Sequence, residues 1–248
     1  GNTPMTDHTV TLTQAERART TANQRPKDAA TMMILDRSGA RPKVLMGKRH
    51  ASHKFMPGKY VFPGGRVDDG DRRMVATGAV PQICEDRLGK RCLRPSAGKA
   101  RALAMAAIRE TFEETGLLFG SDEFGAPDAP PPGSWTDFAA QGIYPDLSAV
   151  TFVARAITPP RRPKRFDTRF FTIDASAVAK RVDGIIGPDS ELVDLVWVDF
   201  DEAKELDLPT ITKVIIQEVE ARIEGGFAPY LPVPFYWEKR GSFVREEL

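Results

Sequence analysis

The sequence predicts an α+β fold, in which short strands lie before, between and after helices. Three observations carry this. Segments of strand length, bounded by turn residues and rich in β-branched, aromatic and other apolar side chains, occur at Thr31 to Leu35, Lys43 to Arg49, Ala149 to Ile157, Phe170 to Ile173 and Leu192 to Val198. A strongly helical run starts near Lys99 and ends around Gly116 or Gly120, as helices commonly end at glycine. From Thr210 to Ile223, the residues Ile211, Val214, Ile215, Val219 and Ile223 fall mostly on one helical face.

Taken in order, the polar stretch Thr13 to Gln24 has helical propensity, and the turn Arg37-Ser38-Gly39 joins the first two strands as a hairpin. Tyr60-Val61-Phe62 is a third extended segment, stopped by Pro63. Gly64 and Gly65 follow, where the backbone can take positive φ, so a loop is expected to begin there and run through Asp68, Asp69, Gly70 and Asp71. The chain is then irregular until the long helix. Residues 122–134, rich in proline, glycine and acid, read as a solvated surface loop. Trp135 to Gln141 and Asp201 to Leu206 suggest short helices, and no internal repeat is present.

At 248 residues and 41% hydrophobic composition the chain can bury one large core, expected over about residues 28–224 with an insertion at about 72–98. Lys plus Arg (35) nearly cancel Asp plus Glu (34), leaving +1, so no general field draws the protein to nucleic acid or to a membrane. Attraction for phosphate must be local. Cys84 and Cys92 have neither zinc-site spacing nor the number a disulfide framework needs. No apolar run approaches the roughly 18 to 20 residues that span a bilayer, and no secretory pattern opens the chain. A cytoplasmic protein is expected.

The most informative segment is Arg109-Glu110-Thr111-Phe112-Glu113-Glu114-Thr115-Gly116-Leu117. Glu110, Glu113 and Glu114, at i, i+3 and i+4, share one helical face, where like charges repel. No lysine relieves them between Arg109 and Leu117. An isolated cluster of this kind is most often a solvated acidic face. Hard oxygen donors in this arrangement otherwise suit Mg²⁺ or Mn²⁺, and magnesium is usually shared between a few carboxylates and substrate phosphates.

Upstream stands Pro63-Gly64-Gly65-Arg66-Val67-Asp68-Asp69-Gly70-Asp71. Together the two pieces resemble the box of the Nudix hydrolase family, G-x5-E-x7-R-E-U-x-E-E-x-G-U with U apolar. The fixed positions Arg109, Glu110, Glu113, Glu114 and Gly116 would coincide by chance in on the order of one chain in several thousand. Three departures stand out. Residues 72–108 separate Asp71 from Arg109 where the pattern has seven positions, Asp71 replaces glutamate, and Thr111 replaces an apolar residue. A loop-to-helix site can survive such a lengthening, because loop closure costs only roughly 0.6 kcal/mol per doubling.

The resemblance implies an α/β/α sandwich with a mixed sheet, in which Glu110, Glu113, Glu114 and the Gly65 carbonyl hold metal ions against a diphosphate while water attacks phosphorus. It implies that Arg109 orients a neighbouring carboxylate. Either a helix glutamate (Glu110 or Glu113) or a distal one would serve as base; Glu191, just before the strand containing Trp197, is the distal candidate beside the plain alternative of a surface acid. Within the family, the chain is most similar to the coenzyme A diphosphatases, whose signature ends PGGxxDxxD. That branch implies a nucleoside diphosphate derivative as partner, coenzyme A or acyl-coenzyme A, cleaved to 3′,5′-ADP and 4′-phosphopantetheine.

Arg49 and Arg66 are candidate substrate-binding residues, and the basic run Arg161, Arg162, Lys164, Arg165 is either a phosphate site or a solvated loop. His50 and His53 are not expected to bind metal, since their spacing gives no shared face on an extended segment. Phe55, Met56, Tyr60 and Phe62 read as core before they read as pocket walls. ADP-ribose, dinucleotides or nucleoside triphosphates remain alternative substrates, and a nucleotide sensor without catalysis is the alternative from another class.

Overall fold

The protein is described here by a computed structural model covering residues 7–15 and 19–248. Helix α1 (His8–Gln14) precedes strands β1 (Lys27–Asp36), β2 (Lys43–Arg49), β3 (Tyr60–Val61) and β4 (Gly64–Arg66). Helices α2 (Asp69–Arg73), α3 (Gln82–Gly89) and α4 (Ala97–Thr115) follow, then β5 (Leu117–Ser121), α5 (Trp135–Ala140) and β6 (Tyr144–Pro145). The chain continues through β7 (Thr151–Ile157), β8 (Phe166–Asp174), β9 (Val178–Arg181), β10 (Leu192–Asp199), α6 (Phe200–Lys204) and α7 (Thr210–Glu224). It closes with the hairpin β11 (Pro234–Lys239) and β12 (Ser242–Glu247).

Nine strands form one sheet in the order β10-β2-β1-β8-β7-β11-β12, with β3 beside β2 and β4 beside β1. The sheet is mixed: β1 runs parallel to β8 and β11 parallel to β7, while the other pairs are antiparallel. A smaller sheet, β6-β5-β9, stands apart. β1 sits inside the larger sheet, and the run Ala29-Ala30-Thr31-Met32-Met33-Ile34-Leu35 is almost uniformly apolar because both its faces are covered. Ala30, Met32 and Ile34 face a core shared with α3, α4 and α5; Met33 and Leu35 face a second core with Val44, Met46 and the apolar face of α7. The resulting layers are helix, sheet, helix, as expected.

Several local expectations are corrected. The helix expected at Thr13 to Gln24 is found at His8–Gln14, capped by Asp7 accepting from the Thr9 N–H, and residues 19–26 are not helical; residues 16–18 lie outside the described residues. The stretch expected to be irregular holds α2 and α3, whose buried Cys84 and Leu88 pack into the α4 core. Cys84 and Cys92 are both free. Gly64 and Gly65 do not open a loop at positive φ: they are extended and pair with β1 as β4. Glycine is needed there for closeness, since a Cβ on Gly64 would lie 2.7 Å from the Ala30 carbonyl oxygen. The C-terminal hairpin, beyond residue 224, extends the main sheet through β11 against β7.

Helix α4 positions the acidic cluster. Its first three turns are alanine-rich, the residue type with the highest helix propensity, and small enough to let the helix lie close on β1. The Ser96 hydroxyl caps its start by accepting from the Lys99 N–H at 3.0 Å. At its end Gly116 takes φ of +80°, and an added Cβ would collide with the Val182 carbonyl oxygen. The acidic residues therefore occupy the negative end of the helix dipole, where a cation is favoured.

Candidate active site

Arg109 stands at the centre of the site. Its guanidinium makes two parallel bonds to Asp71, from Nε to Oδ1 at 2.7 Å and from Nη2 to Oδ2 at 2.9 Å. Nη2 also reaches the Arg66 carbonyl at 2.9 Å, and Nη1 reaches Glu110 at 3.1 Å and Glu113 at 3.0 Å. Burial opposes this charge, but Asp71, Glu110 and Glu113 outweigh it and raise the Arg109 pKa. Asp71 is fully buried and takes further bonds from Trp135 Nε1 at 3.1 Å and the Asp68 N–H at 2.9 Å. The Asp71–Arg109 pair thus fixes α4 to α2, although 38 positions separate the partners.

Buried Glu114 and partly buried Glu110 form an acidic pair. Burial lifts the Glu110 pKa to about 7, with Arg109 opposing and Glu113 and Glu191 adding to it. Burial raises Glu114 well above the ordinary range too, reinforced by Glu110 and Glu191, although Glu114 accepts from the Gly64 N–H at 2.9 Å. Gly65 lies against the Glu110 carboxylate so closely that a Cβ there would collide with both oxygens. The Gly64-Gly65 strand is therefore a backbone wall for the two carboxyl groups.

Glu113, more exposed, is held by Arg109 and by the Ser134 hydroxyl, which donates at 2.7 Å. Residues 122–134 form no helix or strand, as expected, yet their last residue docks on the acidic helix instead of facing only solvent. Arg66 contributes its carbonyl oxygen, and its side chain is exposed. Glu191 is brought near by strand register: Leu192 pairs with Arg49, and the His50 N–H donates to the Glu191 carbonyl at 3.1 Å. Its carboxylate lies 3.5 Å from Arg49 Nη2 and 3.6 Å from His53 Nε2, on the side from which it acts on Glu110 and Glu114. Ser134, Trp135 and His53 are the lining residues that sequence reasoning missed, and only Trp135, as a large aromatic beside a Pro/Gly-rich loop, carried any local signal.

Two carboxyl groups, one buried and one partly buried, a third acid behind them and a backbone wall make a hard oxygen donor set suited to a divalent cation. Among the described residues no three His, Cys, Asp or Glu side chains are gathered as a closed metal cage. Glu110 and Glu114 make the pair, and Glu113 is turned to Arg109 and Ser134. An open pair agrees with an ion that shares its shell with water and substrate oxygens.

The fold has counterparts among solved structures. A Nudix hydrolase from Alicyclobacillus acidocaldarius is 28% identical, with a TM-score of 0.59 over 78% of this chain and 90% of that one. The chain shares the fold of that Nudix hydrolase. Weaker likenesses include the Nudix domain of Shewanella oneidensis NrtR complexed with ADP ribose, at 13% identity, TM-score 0.44, 81% of this chain and 90% of that one. The MutT protein from Methanosarcina mazei is similar at 14% identity and TM-score 0.43, over 81% and 98% of the two chains. No family model matches the sequence, and none of the curated proteins is similar to it.

Proposed function

We propose that this protein is a Nudix-type hydrolase that cleaves the phosphoanhydride bond of a nucleoside diphosphate derivative, with coenzyme A or acyl-coenzyme A as substrate and 3′,5′-ADP and (acyl-)4′-phosphopantetheine as products. The observation that carries the chemistry is the Glu110–Glu114 pair facing the Gly64-Gly65 wall, with carboxylate charge in excess of what Arg109 and Arg49 neutralise. In this reading Glu110 and Glu114, with the Gly65 carbonyl and Glu113, hold Mg²⁺ or Mn²⁺. A divalent ion so bound would clamp the diphosphate and lower the pKa of a coordinated water.

The remaining roles belong to the chain. Asp71 fixes the guanidinium of Arg109, and Arg109 in turn sets the rotamers of Glu110 and Glu113. Arg49 and His53 hold the Glu191 carboxylate beside the acidic pair, where it accepts the proton of the attacking water. The Pro63-to-Asp71 segment, which matches the coenzyme A diphosphatase signature, supports the substrate assignment. Among the described residues no helix is long and apolar enough to cross a membrane.

The test is to incubate the protein with Mg²⁺ or Mn²⁺ and, separately, coenzyme A, ADP-ribose, NADH and nucleoside triphosphates, with Glu114→Gln as control, and to identify products chromatographically. Release of 4′-phosphopantetheine by the parent and not by the variant is expected. Cleavage of another substrate instead would keep the chemistry and remove the coenzyme A assignment; no metal-dependent cleavage at all would leave a nucleotide-binding protein.

A further inference from the structure

The basic run before β8 is sorted by the structure into two kinds of residue. Arg165 is structural: it donates to the carbonyls of Thr158 and Gln24 at 3.0 and 2.6 Å and to the Asn23 side chain at 3.2 Å. Lys164 is different. Its ammonium lies 5.6 Å from the centre of the Phe55 ring, and the Arg49 guanidinium lies 5.7 Å from the same centre. Phe55, half-buried, meets Phe166 edge-on at 6.2 Å. Arg49 in turn lies beside Glu191 and the His53 ring, so an aromatic ring contacted by two cations adjoins the proposed catalytic acid Glu191. Arg49 Nε is buried and, among the described residues, has no hydrogen-bond partner.

Two cations against one ring, with the Glu191 carboxylate near Arg49 alone, form a site suited to a further anion. We infer that Lys164 and Arg49, over Phe55, form a second phosphate subsite that takes a phosphate monoester of the substrate remote from the anhydride being cleaved. This rests on the reading of the protein as a hydrolase of nucleoside diphosphate derivatives, and it narrows the substrate class to nucleotides with an additional phosphate on the ribose. The ring supplies the apolar surface on which the nucleoside lies, and Lys164, exposed in the free protein, supplies the charge.

The test is binding, separate from turnover. Calorimetric affinities for 3′,5′-ADP and for 5′-AMP are measured on the parent, on Lys164→Ala and on Lys54→Ala, an exposed neighbour of Phe55. The parent is expected to prefer 3′,5′-ADP by about tenfold, as one charge-assisted contact gives. Lys164→Ala should lose that preference and Lys54→Ala keep it. Equal affinities in the parent, no binding of either nucleotide, a preference retained in Lys164→Ala, or one lost equally in Lys54→Ala would each overturn the subsite. If coenzyme A is not hydrolysed while the Lys164-dependent preference persists, the substrate reading fails and the subsite stands.

Discussion

Two buried charge clusters lie near the start of β1, and they are built in opposite ways. In one, Arg155 makes a bidentate pair with Asp167 at 2.8 and 2.6 Å, and Arg169 bonds Asp28 at 2.7 Å, with Lys99 3.6 Å from Asp28. Spare donors go to the carbonyls of Lys90, Arg91 and Asp167. Burial disfavours the Asp28 charge, but Arg169 and Lys99 overcome it and leave its pKa lowered. In the other cluster, Arg109 alone serves Asp71, Glu110 and Glu113, with Glu114 and Glu191 beyond its reach. There burial raises the pKa values of Glu110, Glu114 and Asp71. The first cluster gives each carboxylate a cation and holds strands together; the second is left short of positive charge, the condition under which burial is tolerated for function at a cost in stability.

That contrast can be broken by substitution. Glu114→Gln should reduce kcat/KM about a thousandfold, about 4 kcal/mol of transition-state stabilisation, while Tm stays level or rises because an amide replaces a buried charge. Turnover assays with calorimetry of the same sample check both halves; a large fall in Tm would mean the cluster is structural after all. Asp167→Ala should do the reverse, costing about 3 kcal/mol or more by leaving the buried Arg155 guanidinium without a carboxylate, seen as a lower urea midpoint with activity per folded molecule preserved.

Asp71→Asn sits between the two, since Asp71 both braces the fold and aims Arg109. A loss of about 10-fold to 100-fold in kcat is expected from steady-state assays, as for groups that orient ligand side chains. An unchanged kcat would disconnect α2 from the chemistry. The smallest effect is on pH dependence. Folding raises the Glu110 proton affinity, from 4.5 to about 7, so in chelator the protein should lose stability as pH rises through that interval, by a few degrees in Tm. Added Mg²⁺ should flatten the slope, because bound cation favours the ionised form; an identical slope with and without Mg²⁺ would remove Glu110 from the metal site.

The acidic helix is legible in sequence because one helix supplies Arg109, Glu110, Glu113 and Glu114 at spacings that share a face. Strands β1, β2, β3, β7, β8 and β10 are legible for a similar local reason, their composition and bounding turns. Gly64 and Gly65 show the limit of such reasoning: the residue type signals something special, yet its cause, a close approach to Ala30 and Glu110, comes from other segments. The same holds for Ser134, Trp135 and His53, which meet the site from connections without periodicity. The pairing of β11 with β7 is likewise set by distant partners, and its hairpin turn at Arg240-Gly241 takes positive φ at both residues without any strong flanking alternation.

Between Asp71 and Arg109 the covalent path wanders through α3 and an exposed stretch, with Leu93 90% accessible to solvent. The shortest connection between the two halves of the box is the guanidinium–carboxylate pair, reinforced by Arg101 donating to the Met74 carbonyl. Continuity of the polypeptide at residues 93–96 is therefore dispensable to the site. A specific protease site inserted between Leu93 and Arg94 and then cut should yield two fragments that stay together on a sizing column and separate only in denaturant. In that sense the box is assembled like a split reporter, by recognition between its pieces.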